Sequence, residues 1–283
     1  MRTSQDVTND IENVTADGGL NQRDVPILLA ALVSGSGRVE RVALSGGVVW
    51  IKRYGTERAR LIGLKRAAAA LFNAPFIRPS PAVENEGMAR REVRRIQQFA
   101  AKDVPAPRVV YSSGSAVVLT DVGGTVREWL DALPEDDAVS YDGMLVRCTT
   151  AVGRLHAKGL AHGRPYTRDM FLKDGQIGFM DFEEEPEAVM PLAVAQARDI
   201  WLLFMQVATS ARLGKETHDR AYRAWADVAP PEAVAELRKL TGVLGGFLWL
   251  ARLIGRVHMG SDLRRFIVAT SYLMHVSLNY RQD

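Results

Sequence analysis

Near Thr120 the apolar pattern of this 283-residue chain changes period. Before that point, short β-branched runs are punctuated by glycine turns. After it, apolar residues recur at helical spacing almost to the end. A β-rich first half followed by a helical second half predicts an α+β architecture of two lobes, the first rich in β-structure and the second mainly helical. TDVGGT is the glycine-bearing connector between them, and a cleft between lobes is where a small ligand is expected to bind.

The finer reading gives a flexible leader over 1–24, a sheet-plus-helix lobe over 25–120 and a helical lobe over 121–283. Ile27 to Tyr54, with its SGSG and SGG turns, predicts an antiparallel β-meander. Helices follow over 57–73 and 84–101, each closed by a proline-rich stretch. Val109 to Leu119 predicts a hairpin turning at Ser-Gly-Ser, and MFL with IGFMDF predicts a second one across Lys-Asp-Gly-Gln. Everything beyond residue 190 reads as helix.

Composition narrows the class. With 47% apolar and 24% charged residues the chain is not wholly disordered. One cysteine, Cys148, leaves no intrachain disulfide, which fits a reducing cytoplasm. The polar start MRTSQDVTND lacks the layout of a secretory signal. The most apolar run, Val243 to Ile254, contains Arg252 and is too short to span a bilayer. The expected location is therefore cytoplasmic, with peripheral contact to the inner membrane as its extension. Basic residues interleaved with aromatic and aliphatic ones cluster over 264–281 and 58–66. These read either as faces for an anionic membrane surface or as solvated faces of amphipathic helices. No nucleic-acid-binding motif is recognisable, so a nucleic-acid partner is not expected.

Several polar residues break the apolar pattern. Lys52 interrupts the strand VVWIKRY, and Glu92 lies in the helix MARREVRRI. Each alone reads as a surface residue; together a strand lysine and a helix glutamate suit the α/β-phosphates of ATP. Gly35 and Gly37, in Ser-Gly-Ser-Gly-Arg between two strand candidates, offer backbone N–H groups to phosphate oxygens, or form a plain turn. The segment HGRPYTRDMF runs from His162 to Phe171. Asp181 follows twelve positions after Asp169, across a tight hairpin, so that two carboxylates can converge on one magnesium ion. Asp199 reads either as a buried brace for this loop or as a first-turn helix residue. His156 reads as structural, and Trp201, Trp225 and Trp249 as core.

The order strand-Lys52, helix-Glu92, hinge-like LTDVGG, LHAKGLAHG, then Asp181-Phe182 resembles the protein-kinase-like superfamily. Within it the chain is most similar to the bacterial lipopolysaccharide-kinase and RIO-like (KEOPS-kinase-like) group, and REVRRIQQFAAKDVPAPRVV is similar to the helix-then-Pro-x-Pro segment found there. The likeness covers roughly residues 27–205. It implies a bilobal kinase-like fold, ATP and magnesium as cofactors, and an acceptor hydroxyl on a saccharide, lipid-linked or protein substrate. It also implies nucleotide contacts from Lys52, Glu92, Gly35, Gly37, Leu119 and Asp121, with metal contacts from Asp169 and Asp181.

The resemblance has two departures, one of them chemically mild. His162 matches the loop histidine and Asp169 falls where a metal-binding asparagine is expected, but Arg164 stands in place of the catalytic aspartate. A guanidinium stays protonated at working pH and is no general base. Three accounts stay open: phosphoryl transfer with Arg164 as a charge clamp, nucleotide binding without catalysis, and a fold kept for interaction as a pseudokinase-like regulator.

Overall fold

The computed structural model describes residues 20–55, 78 and 80–279. The helix expected over 57–73, the basic segment 58–66 and most of the leader lie outside the described residues. The chain divides into two compact units. One comprises Met1–Gly63, Ala82–Gly123 and Met180–Glu183; the other comprises Leu64–Pro81, Gly124–Phe179 and Glu184–Asp283.

The first unit is built on a four-stranded antiparallel sheet of β1 (Val39–Leu44), β2 (Gly47–Arg53), β3 (Val109–Ser113) and β4 (Ala116–Thr120), in the order β1-β2-β4-β3. Among the described residues two α-helices accompany it: α1 (Val25–Ser34) and α2 (Asn85–Ala100). Side chains alternate between the faces of a strand. Val49 and Ile51 of β2 therefore join Leu28 of α1 and Val118 of β4 in one apolar cluster. Lys52 is displaced to the opposite face by the same alternation. Each large apolar side chain so buried contributes about 1.5–3 kcal/mol.

Residues 27–34 differ from the expected meander, because they form helix α1. Pro26 sits in its first turn and Leu28 to Leu32 are strong helix formers, which outweighs the two β-branched residues Ile27 and Val33. Gly35 and Gly37 consequently link a helix to β1 rather than two strands. The hairpin expected over 109–119 and the helix expected over 84–101 are present as β3–β4 and α2.

The second unit is mainly helical: α3 (Val126–Asp131), α4 (Ala138–Ala157), α5 (Leu192–Ser210), α6 (Lys215–Ala226), α7 (Pro231–Gly245), α8 (Leu248–Val257) and α9 (Ser261–Asn279). Its one hairpin among the described residues pairs β5 (Met170–Lys173) with β6 (Gln176–Phe179). Asp174 and Gly175 turn it with φ of 49° and 75°, as a two-residue hairpin loop requires. Helix α4 packs on α6, and α5 on α7 and α9. Trp225 is fully buried there, whereas Trp249, expected in the core, is 67% exposed. An α+β chain with a small sheet-based lobe and a larger helical one is thus the fold class that the sequence predicts.

Candidate functional site

In the first unit the face of β2 that carries Lys52 meets α2, whose apolar and polar residues are segregated so that Glu92 faces inward. The Lys52 Nζ lies 2.9 Å from Glu92 Oε1, 2.7 Å from Asp181 Oδ1 and 3.2 Å from Glu183 Oε1. Glu92 is fully buried and the Lys52 side chain is 12% exposed. Burial alone would lower the pKa of this ammonium, but the carboxylates of Glu92, Asp181 and Glu183 outweigh it and hold the pKa above its ordinary value. Glu92 moves opposite to what an ion pair alone would give. Burial raises its carboxyl, and Lys52 offsets only part of that. With three carboxylates around one amine, the proton belongs on Lys52.

Asp181 lies beyond the end of β6, which stops at Phe179, and not in the strand as the sequence suggested. Its φ is 66°, a left-handed conformation that aspartate tolerates better than most residues. Phe182 anchors this turn, its ring 4.6 Å from that of Phe99 on α2. The next residue, Glu183, also pairs with Arg38 at 2.5 Å, and its carbonyl accepts from Arg91 Nη1 at 3.1 Å. Glu183 and Arg91 escaped the sequence reading. The acidic run after Asp181 was a usable signal for the first; a buried arginine in an amphipathic helix gives none.

The glycine-bearing link is clamped rather than open. Arg53 donates to the carbonyls of Ala31 at 2.7 Å and Gly37 at 2.9 Å, and pairs with Glu40 at 2.8 Å. A Cβ on Gly35 would collide with the Arg53 guanidinium, the Glu40 carboxylate and the Ala31 carbonyl, so only glycine fits there. Leu119 is buried in β4 opposite Trp50, and the Trp50 indole donates to Asp121 Oδ1 at 2.7 Å.

In the second unit the loop at 162–169 is held from α5. Asp199, the eighth residue of that helix and fully buried, accepts from the amides of His162 at 2.5 Å and Gly163 at 2.8 Å. That is the brace arrangement, not a first-turn one. Gln206 accepts from the Thr167 amide at 3.1 Å, and Gln196 donates to the carbonyls of His156 and Leu160 at 3.0 Å each. Behind Asp199 stands His156, structural as expected: its Nε2 is 3.4 Å from the carboxylate, while its Nδ1 accepts from Trp225 Nε1 at 3.0 Å. Gly163 has φ of 102°, and a Cβ there would run into Glu184, so the loop can take this path only with glycine.

The buried Asp169 is flanked by two guanidiniums. Arg164 Nε lies 4.0 Å from Oδ2 and Arg168 Nε 3.6 Å from Oδ1, and both arginines also lie over the Tyr166 ring, at 5.8 and 5.3 Å. His162 is buried, 5.6 Å from the Phe179 ring. Of the expected site residues, the structure brings Lys52, Glu92 and Asp181 together in one unit, and His162, Arg164 and Asp169 together in the other. Among the described residues, no group of three or more His, Cys, Asp or Glu side chains forms a ready metal cage.

About a third of the chain is similar in sequence to atypical kinase-like proteins of the KEOPS group. The chain is 32% identical over 97 residues to the EKC/KEOPS complex subunit BUD32 of Encephalitozoon cuniculi, covering 34% of this chain and 46% of that protein. It is 30% identical over 105 residues to a probable bifunctional tRNA threonylcarbamoyladenosine biosynthesis protein of Methanoculleus marisnigri, covering 36% and 18%. An uncharacterized protein of Haemophilus influenzae matches at 35% over 94 residues, 33% of this chain and 38% of that protein. The chain thus spans less than half the length of each of these relatives. A solved structure of the Rio2 kinase of Chaetomium thermophilum, in an ADP/Mg2+-phosphoaspartate complex, aligns over 92% of this chain and 77% of its own, at 14% identity and a TM-score of 0.39. No family model matches the chain.

Proposed function

We propose that the protein is an ATP- and magnesium-dependent phosphotransferase of atypical, lipopolysaccharide-kinase-like type, acting on a hydroxyl of a saccharide, lipid-linked or protein acceptor. The observation that carries this reading is the buried Lys52 amine, kept charged and aimed by Glu92 and Asp181. A desolvated, oriented ammonium suits the α/β-phosphates of a nucleotide. Leu119 and Asp121 are proposed to contact the nucleoside, and Gly35 and Gly37 to lie near its phosphates.

Asp181 fits magnesium by the chemistry of its donors, since carboxylate oxygens suit a hard cation. Asp169 supplies the same donor type, its carboxylate lying beside Arg164 and Arg168. When bound, the ion would supply charge neutralisation to the phosphates. Phosphoryl transfer passes through a loose transition state that depends on positioning and charge neutralisation more than on a strong base. Arg164 in place of a carboxylate is compatible with that requirement: it can clamp an anionic oxygen, while Asp169 or Asp181 assists the acceptor hydroxyl.

A second reading is favoured by the same two arginines. With Asp169 held between guanidiniums, the chain would bind nucleotide without turning it over and act as a regulator or scaffold. Transfer from γ-labelled ATP separates the two readings, with wild type, Asp169→Ala and Arg164→Asp assayed for hydrolysis and for transfer to saccharide, lipid and protein fractions. Magnesium-dependent turnover lost in Asp169→Ala supports the phosphotransferase. Nucleotide binding without turnover in wild type, or turnover appearing only in Arg164→Asp, supports the regulator.

A further inference from the structure

Helix α8 is turned inside out for a helix on a water-soluble surface. Leu248 and Ala251 are buried against the rest of the helical unit. The outward side carries Trp249 (67% exposed), Leu250 (40%), Leu253 (50%), Ile254 (50%) and Val257 (90%). At about 100° per residue, these five side chains fall within an arc of roughly 140°. Phe247 and Met259 extend the strip at either end, at 39% and 51% exposed. Scattered apolar residues on a surface need no explanation, but a continuous strip headed by an exposed tryptophan does.

Charge says what covers it. Arg252 and Arg256 lie along one edge of the strip, and Arg264 and Arg265 follow at the start of α9; over 247–265 four arginines face one aspartate, Asp262. All four are exposed, with Arg252 donating to Ser271 and Arg265 pairing with Asp262. An apolar face rimmed by arginines, with tryptophan among its apolar residues, is the composition of a helix lying in the interface of an anionic bilayer. The geometry is that of a helix lying flat. Among the described residues no single helix is long and apolar enough to cross a membrane. α7 and α8 reach that length only as a pair bent by 49°, and α7 spends Val234, Leu237, Leu240 and Leu244 on the interior of its own unit.

Of the two readings open for 264–281, a membrane face and a solvated amphipathic face, the structure does not favour the first. In that stretch Ala269 and Leu273 are fully buried, and α9 packs on α5 and α7, so it contributes arginines at its start rather than an apolar surface. We infer that α8 is a lipid-surface contact that seats the helical unit on an anionic bilayer through Trp249, Leu253 and Val257. The inference does not depend on the catalytic reading.

The test is co-sedimentation of the full chain with vesicles of phosphatidylcholine alone and of phosphatidylcholine with phosphatidylglycerol, with tryptophan emission followed in parallel. Binding is expected only to the anionic vesicles, with a blue shift that Trp249→Phe removes and release at high salt. Leu253→Ser with Val257→Ser should weaken binding about tenfold or more while leaving circular dichroism unchanged, since both positions are exposed. Arg252→Gln with Arg256→Gln should reduce it as well. Indifference to vesicle charge, or full binding by the Leu253→Ser, Val257→Ser variant, overturns the inference. So does a wild type that self-associates through this face, becomes monomeric on Leu253→Asp and ignores vesicles.

Discussion

The carboxylate of Glu183 stands 3.2 Å from the Lys52 amine while also gripping Arg38 at 2.5 Å. One carboxylate between two cations is the arrangement that a phosphate group would take up. In this conformation Glu183 therefore competes for the charge that the proposed nucleotide needs. Glu183→Gln removes the competing charge with little change of shape. Inorganic pyrophosphate, titrated without metal in a calorimeter, is expected to bind about tenfold more tightly to the variant, about 1.4 kcal/mol. Unchanged or weaker binding would contradict the competition.

Asp199 holds two backbone amides of the loop from inside α5. In Asp199→Asn one oxygen becomes an N–H donor facing another donor, and the charge is lost. Urea unfolding should show a loss of about 2–4 kcal/mol at an unchanged m-value, given the strength of hydrogen bonds to a charged acceptor. A loss under about 0.5 kcal/mol, the range of an ordinary surface substitution, would mean that the brace contributes little.

Cys148 is fully buried in α4, and that burial pushes its thiol up to about 12. The thiolate is the reactive form, so a thiol reagent at mildly alkaline pH should label none of the native protein and one group per chain after denaturation. Rapid native labelling would show that α4 opens or is misplaced.

His218, half-buried in α6 and 5.2 Å from the Tyr272 ring, has its pKa lowered, chiefly by burial and against the pull of Asp219 and Asp142. Below its ordinary value of 6.5 the unfolded chain then binds more protons than the folded one. Stability contributed by the neutral imidazole is present above that pH and is lost as pH falls towards the folded-state value. His218→Gln should flatten the dependence of the urea midpoint on pH between neutral and mildly acid conditions. A slope identical to wild type would contradict this assignment.

Much of this was legible in the sequence. Lys52 broke the apolar pattern of its strand, and a charge that breaks an apolar pattern is costly unless a partner meets it, so a partner such as Glu92 could be foreseen. Asp199 announced itself in the same way. Residues 27–34 were misread because the two glycine turns that follow, SGSG and SGG, suggested strands, whereas Pro26 and the leucine-alanine run decide for helix. Glu183, Arg53 and the two arginines against Asp169 were hidden for a different reason. Exposed-looking charges in loops and at strand ends carry no periodicity, and only tertiary placement shows which partner each one meets. Trp249 followed apolar spacing, and spacing alone cannot distinguish a face turned to a core from one turned outward.

The central claim is that Lys52, held by Glu92 and Asp181, is the phosphate anchor of a nucleotide site. Calorimetric titration of wild type and Lys52→Met with ATP in the presence of magnesium tests it most directly, with circular dichroism to establish that both are folded. The account predicts saturable one-to-one binding by wild type and a loss of at least about a hundredfold in the variant, about 2.7 kcal/mol. Equal affinity in the two proteins, or no binding by a folded wild type, would contradict it.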